Sequence, residues 1–339
     1  MALKKENPIL APPSEGMKQL GKVASAEKEL SDEILKWHVA IVQYSGGKDS
    51  TATAFMALNA LKESEKKPGK IIIAYINGGV DLPEHVRTAE AGMRLFCDIG
   101  KKAGLSVESV TLHPKIDNSY WIGILGKGYL PPAKSSKWCV PLLKNNPMKQ
   151  YILRTRDEIG WYPLVISGLR MEESAARKAS IPKYMEGWKI SRFNRIKQCE
   201  VYMPILDFSA GEVWRYIETS EKAWGVKLKE LHDMYTLPGI SREKIRTGCW
   251  ACTLARRDPC ITARAKKDPE IAPYVEFRNY LYDARSDNTK RREVTRWGRT
   301  YLNGFTLATR KELYDMLKKF MHLGREEDAE IKRQWKLQQ

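Results

Sequence analysis

The sequence predicts a doubly wound, mostly parallel α/β sheet followed by a helical C-terminal portion that carries a cysteine metal site. Three observations point there. Short apolar runs alternate with amphipathic stretches from residue 39 onward, several of those runs end in glycine-bearing polar turns, and three cysteines crowd the stretch from Cys249 to Cys260.

Residues 1–25, with Pro8, Pro12, Pro13 and scattered charges, read as a flexible arm. A short helix is expected over Ala26 to Lys36. Val39 to Tyr44 is an apolar run entering Ser-Gly-Gly, a buried strand that ends in a tight turn. From Asp49 onward, Thr51, Phe55, Leu58 and Leu61 fall at helical spacing. Ile71 to Ile76 is a second buried strand, stopped by Gly78-Gly79. A helix over Pro83 to Gly104 and a third strand over Ser106 to Leu112 follow. Leu164 to Ser167 repeats the pattern and meets Gly168. Strands alternating with helices imply a parallel sheet covered on both faces, and such sheets bind ligands at the carboxyl ends of their strands. After Glu200 the alternation weakens, and helices are expected over Gly211 to Thr219, Thr262 to Tyr282 and Leu307 to Phe320. The organisation is therefore an arm (1–25), a nucleotide-binding α/β domain (26–210) and a helical C-terminal portion (211–339).

Lys and Arg number 58 against 41 Asp and Glu, a formal charge of +17 that attracts polyanions, nucleic acid foremost. A solubility surface would show the same excess. No stretch approaches the roughly 18 apolar residues of a membrane helix, and the polar N-terminus does not read as a signal peptide. The expectation is a cytoplasmic protein with no membrane partner. Six cysteines in a chain of 339 residues are too sparse for a secreted disulfide framework, and their clustering points to metal or redox chemistry.

The sharpest local feature is Ser45-Gly46-Gly47-Lys48-Asp49-Ser50. Two glycines remove Cβ atoms, so the backbone can curl and point successive N–H groups inward. With the N-terminus of the following helix these donors make an anion site. Ser45 and Ser50 add hydroxyls, and Lys48 adds a point charge suited to phosphate. Glycine pairs also punctuate plain turns; the buried strand before and the helix after favour the phosphate loop. The Walker spacing is absent.

This loop resembles the Ser-Gly-Gly-x-Asp-Ser signature of the PP-loop ATP pyrophosphatase superfamily. The resemblance implies an adenine nucleotide alpha hydrolase-like fold, and ATP cleaved between its α- and β-phosphates to adenylate a substrate. Gly168-Leu-Arg-Met-Glu-Glu-Ser-Ala-Ala-Arg177 is similar to the Gly-x-Arg-x-x-Glu-Ser-x-x-Arg segment of the phosphoadenylyl-sulfate (PAPS) reductase branch. Asn77 to Glu84 resembles that branch's Asp-Thr-Gly-x-x-x-Pro-Glu, with Asn77 and Gly78 in place of Asp and Thr. The stretch around Trp214 also looks like the branch's Val-Trp-x-Tyr. Carried over residue by residue, the nucleotide-binding set is Ser45, Gly46, Gly47, Lys48, Asp49, Ser50, Thr51, Gly79, Gly168, Arg170, Glu173, Ser174 and Arg177. Lys48, Asp49 and Arg170 are the catalytic candidates. Asp49, or Asp81 with Glu84, could hold Mg²⁺, which takes few carboxylates plus phosphate oxygens.

Cys249-Trp-Ala-Cys252 has the C-x-x-C spacing that lets two thiolates face one metal, and Cys260 follows. A fourth thiolate would complete a [4Fe-4S] site. Cys139 is the candidate, since it falls where cluster-bearing reductases of this branch carry a cysteine before a basic segment. Zinc suits the same Cys139, Cys249, Cys252 and Cys260 set, although the cluster is favoured.

Two departures count against a standard reductase of PAPS or adenylyl sulfate. No cysteine follows Cys260, and Cys139 is followed by Val140 rather than a second cysteine. The sulfurtransferase of DNA phosphorothioation systems is similar at the phosphate loop, at Gly248 to Thr253 and at Phe305 to Leu313. That resemblance implies ATP-dependent adenylation of an acceptor and sulfur insertion, with DNA as acceptor, a cysteine desulfurase as sulfur donor and phosphorothioation complex partners. Thiolation of a tRNA base and reductive release of sulfite from PAPS are the alternatives. Arg256, Arg257, Lys266, Lys267, Lys290, Arg291 and Arg292 would steer a nucleic-acid backbone.

Overall fold

The fold is described from a computed structural model, which covers residues 15–337 except 184, 188, 194, 195, 197, 297 and 298. Helix α1 (Glu15–Ile34) leads into β1 (Val39–Tyr44), α2 (Lys48–Lys62), β2 (Lys70–Ile76), α3 (Pro83–Lys102) and β3 (Val107–Leu112). Then come α4 (Asn146–Ile159), β4 (Leu164–Ser167), α5 (Ala175–Ser180), β5 (Met185–Gly187), β6 (Ile190–Arg192) and β7 (Glu200–Tyr202). The C-terminal part holds α6 (Ala210–Trp224), α7 (Lys229–Met234), α8 (Pro259–Lys267), α9 (Ala272–Ser286), the ribbon β8 (Arg291–Arg296) and β9 (Arg299–Phe305), α10 (Leu307–Leu317) and α11 (Arg325–Lys336). Among the described residues no helix is long and apolar enough to cross a membrane.

The sheet runs β3-β2-β1-β4-β7-β6-β5. Its first five strands are parallel, and β6 and β5 add an antiparallel edge. Side chains alternate across it with period two. Ala40, Val42, Ile71, Ile73, Leu164 and Ile166 join the core shared with α1, α2, α3 and α6. Ile41, Ile72, Ala74 and Val165 face the opposite core with Met148 and Ile152 of α4. Burial on both faces is why these strands read as unbroken apolar runs. A third core, centred on Trp121, Trp250, Phe277 and Phe305, lies under the C-terminal helices.

The chain leaves β1 towards β2 and β3 and returns to β4 on the other side of β1. The carboxyl ends of β1 and β4 therefore open a crevice at a topological switch point. Gly168 keeps it narrow, because a Cβ there would lie 2.9 Å from both the Asp49 carbonyl oxygen and Thr53 Oγ1.

Several expectations are revised. Helix α1 starts at Glu15, well ahead of the expected Ala26, and its second half buries Ala26, Leu30 and Ile34, which recur every fourth residue. Residues 1–14 of the expected arm lie outside the described residues. The helix expected over Thr262 to Tyr282 is two helices, since Asp268 caps a new turn at Pro269. The β8–β9 ribbon and α11 were not foreseen.

Gly100 packs α3 on β3, and a Cβ there would fall 2.2 Å from Val107 Cγ2. Gly100→Ala should therefore destabilise the protein by about 1–3 kcal/mol by overpacking, against the gain that alanine normally brings to a helix. Urea denaturation gives the sign.

Candidate functional site at the sheet's switch point

The turn after β1 is built as an anion loop. Gly46 has φ +74°, and a Cβ there would press on Ala89 of α3. Ser50 Oγ accepts from Ser45 N–H (3.1 Å), lies 3.1 Å from Ser45 Oγ and donates to the Gly47 carbonyl (3.0 Å). The turn is thus closed on itself before α2 begins. His85 of α3 supports it from behind, with Nε2 2.8 Å from the Ser45 carbonyl oxygen. A carbonyl only accepts, so Nε2 carries the proton. Burial, partly opposed by Asp81, holds the His85 pKa below its ordinary value of 6.5 and keeps the ring neutral.

Asp49 is clasped from two sides: Lys48 Nζ lies 3.0 Å from Oδ2 and Arg170 Nε 2.6 Å from Oδ1. Arg170 is 3% exposed and also donates to the Phe208 carbonyl (3.1 Å). The expected catalytic trio is brought together, but as a cross-brace beneath the loop between β1, β4 and the segment after β7. Thr51 is buried in α2, where its N–H donates to the Gly47 carbonyl (2.9 Å).

Beyond Arg170, Glu173 pairs with Arg177, and Ser174 caps α5 by accepting from Arg177 N–H (3.2 Å). Arg246 reaches across to the Glu173 carbonyl (2.8 Å). Gly79 has φ +72°, with its N–H on Asn77 Oδ1 (3.0 Å) and its carbonyl accepting from Trp121 Nε1 (3.2 Å). Of the carboxylates considered for Mg²⁺, Glu84 is paired with Arg264, while Asp81 accepts from Tyr75 (3.3 Å).

Three of the four candidate cysteines converge. Cys139 and Cys252 both act on Cys249, whose thiol is pushed up to about 12, mainly by burial. The Tyr120 hydroxyl sits among all three and donates to the Ala251 carbonyl (3.1 Å). The Lys144 ammonium lies among the same cysteines and Asp81, and its pKa is raised chiefly by Cys249. The cysteine loop is tied to the loop after β2 by Trp250 N–H on the Val80 carbonyl (2.9 Å). Cys249 and His85 line one cleft with Arg246 and Thr247.

Cys260 does not join them. Asp258 caps α8 by accepting from the Cys260 and Ile261 N–H groups, which turns Cys260 into the core containing Tyr235 and Ile245. There its sulfur accepts from Arg246 N–H (3.5 Å). Among the described residues, no three His, Cys, Asp or Glu side chains are gathered closely enough to hold a single metal ion. The structure therefore sets Cys260 in a different core from the one that Cys139 and Cys249 pack against.

Sequence reasoning missed Tyr235, Thr247, Lys144 and Tyr120. Tyr235 Oη accepts from Lys48 N–H (3.2 Å) and lies 3.2 Å from Thr247 Oγ1. Lys144 carried a faint signal as the cation shortly after Cys139. Tyr235 and Thr247 carried none, since a lone tyrosine after a short helix looks like core.

A doubly wound sheet with an anion loop at its switch point defines a nucleotide-utilising α/β protein. The chain belongs to the phosphoadenosine phosphosulfate reductase domain family, whose model matches residues 39–255. Two uncharacterised proteins of Methanocaldococcus jannaschii are 27% identical over 213 residues and 24% identical over 212. Each match spans 62% of this chain but only 35% and 41% of those relatives. Among solved structures, the U34-tRNA thiolase of Methanococcus maripaludis with its [4Fe-4S] cluster is 14% identical at a TM-score of 0.39, covering 84% of this chain and 88% of that one. The Burkholderia pseudomallei NAD+ synthetase is 13% identical at 0.37, covering 78% and 91%. Candida glabrata FMN adenylyltransferase is 12% identical at 0.39, covering 62% and 59%.

Arg170→Met should cost about 3 kcal/mol, because it leaves Asp49 and the Phe208 carbonyl without their shared donor. A variant of undiminished denaturant midpoint but weakened nucleotide binding would instead make Arg170 a direct phosphate ligand. His85 has a lowered folded pKa, so its contribution is fully present above about pH 6.5 and is lost as pH falls below that value towards the folded pKa. Denaturant midpoints between about pH 7.5 and 5.5 should fall more steeply for the wild type than for His85→Gln.

Proposed function

We propose that the protein is an ATP-dependent sulfurtransferase that adenylates an acceptor oxygen and replaces it with sulfur, the acceptor being a DNA backbone phosphate. One observation carries this reading: His85, whose ring holds the Ser45 carbonyl of the phosphate loop, lines one cleft with Thr247 and Cys249. A loop that holds ATP has no need of thiols beside it unless sulfur or electrons are handled there.

The chain's own groups have distinct tasks. The loop amides and the Ser45 and Ser50 hydroxyls hold the β- and γ-phosphates, and the acceptor oxygen attacks the α-phosphorus, expelling pyrophosphate. Lys48, fixed by Asp49, stabilises charge on the departing phosphates. Asp81, close to the loop and bonded by one tyrosine, is the better placed carboxylate for Mg²⁺, because Glu84 is occupied by Arg264. A persulfide supplied by a cysteine desulfurase then attacks the activated phosphorus and displaces AMP, and a cellular thiol cleaves the resulting S–S bond, leaving sulfur on the acceptor and the two thiols joined as a disulfide.

Cys139, Cys249 and Cys252 would hold an iron–sulfur cluster. Three thiolates fall one short of the closed four-ligand set that structural zinc takes, which favours the cluster over zinc. When bound, the cluster would supply an iron site for anchoring sulfur. Lys144 offsets negative charge gathered by the three thiolates and Asp81. For the nucleic acid, Arg256, Arg257, Lys266 and Lys267 are exposed just beyond the cysteine loop. Lys290, by contrast, is paired with Glu312, and Arg291 and Arg292 donate to carbonyls within the ribbon.

Anaerobically purified protein should release pyrophosphate from ATP, faster with duplex DNA, and Lys48→Ala should slow release by about 10²-fold. Stimulation by tRNA alone would move the acceptor to a tRNA base. Sulfite from PAPS without ATP turnover would overturn the sulfurtransferase in favour of a reductase. Visible absorbance, iron and labile sulfide should disappear in Cys252→Ser, and a colourless, zinc-loaded wild type would remove the cluster.

A further inference from the structure

We propose that Tyr235 and Thr247 form a phosphate-responsive contact: a bound phosphate group takes the Lys48 N–H from Tyr235, and the segment from Tyr235 to Cys249 moves with that exchange. The inference rests on the nucleotide reading of the loop and adds to it a way for occupancy to reach the cysteines.

The Lys48 N–H opens α2 and is one of the amides a helix start leaves without a partner inside the helix. On the nucleotide reading it is an amide that a phosphate would meet, yet it is taken by a phenol oxygen 3.2 Å away. A Cβ placed on Gly47 would lie 3.3 Å from both Tyr235 Oη and Thr247 Oγ1, so both hydroxyls rest against the curled backbone. Tyr235 is 4% exposed, its ring held edge-on by Trp214 at 5.0 Å, with Lys48 Nζ 5.6 Å from its centre. The phenol is thus a built part of the loop's wall.

It is also the weaker acceptor. A phosphate oxygen carries charge, and charge-assisted hydrogen bonds are about twice as strong as neutral ones. Phosphate should therefore win the Lys48 N–H and release the phenol hydroxyl. Tyr235 closes α7 and bonds to Thr247, which is separated from Cys249 by Gly248. A Cβ on Gly248 would meet nothing within 4 Å, so this link has room to shift. On the other side of Thr247, Arg246 is tethered to the Glu173 carbonyl and to Cys260, which confines the movement to the cysteine side.

The test follows amide hydrogen exchange and calorimetric binding of the full chain with inorganic pyrophosphate and with ATP–Mg²⁺. In the wild type either ligand should alter exchange over residues 236–250. Tyr235→Phe should bind pyrophosphate about fivefold more tightly, the worth of one competing hydrogen bond, and should lose that response. Weaker binding by Tyr235→Phe would make the phenol a phosphate donor and overturn the exchange, as would an unchanged response. Thr247→Val decides if Tyr235→Phe does not fold: affinity within about twofold of wild type with a diminished response over 248–250 supports the relay, and an undiminished response overturns it. Wild-type protein that binds neither ligand rejects the nucleotide grip itself, whereas binding without any response in 236–250 rejects the coupling alone.

Discussion

The site hangs on one half-buried carboxylate. Asp49 takes a lysine from its own loop and an arginine from the far side of the switch point, and that arginine also holds the Phe208 carbonyl. One guanidinium thus fixes the ends of β1 and β4 and the segment after β7 relative to each other. Two cations in fixed geometry offset the partial desolvation of this carboxylate. The consequence is functional. The loop amides are held in place before any ligand arrives, so a phosphate does not have to order them.

The same interaction marks how far sequence could reach. Strands β1, β2 and β4 were legible because burial on both faces leaves short apolar runs, and the loop was legible because glycines and hydroxyls are needed there for stated reasons. That Lys48, Asp49 and Arg170 meet was implied, but the roles within the trio were not. A guanidinium that forks onto a carboxylate and a carbonyl looks, in sequence, like one awaiting phosphate. Cys260 misled in a similar way. Its spacing from Cys252 suits a ligand, but Asp258 starts a helix just before it, and the helix turns the thiol into another core. The first part of helix α1, ahead of Ala26, was hidden by proline and charge near the N-terminus, whereas Ala26, Leu30 and Ile34 carried the buried stripe of the part that was expected. The β8–β9 ribbon was hidden because its strands are mostly polar and carry no continuous apolar face.

The basic excess also changes meaning once side chains are placed. A charge of +17 invites a reading in terms of polyanions, but much of the arginine content fastens loops. Arg278 holds the Ala255 and Arg256 carbonyls, Arg285 the Pro132 and Thr253 carbonyls, and Arg310 the Gly126 carbonyl. Arg278 and Arg285 clamp the segment that follows Cys252. They replace the regular secondary structure that a cysteine loop cannot have, and they satisfy carbonyls that would otherwise be buried unpaired.

This division of labour bears on the cysteine site. The loop from Cys249 to Arg256 is rigid at its far end, through Arg278 and Arg285, and at its middle, through Tyr120 and the Val80 carbonyl. Its near end, from Thr247 through Gly248, abuts the phosphate loop and is bonded there to Tyr235. The movement proposed for the segment ending at Cys249 would thus shift that thiol against Cys252, which stays with the clamped segment, and would change its distance from the phosphate loop at the same time.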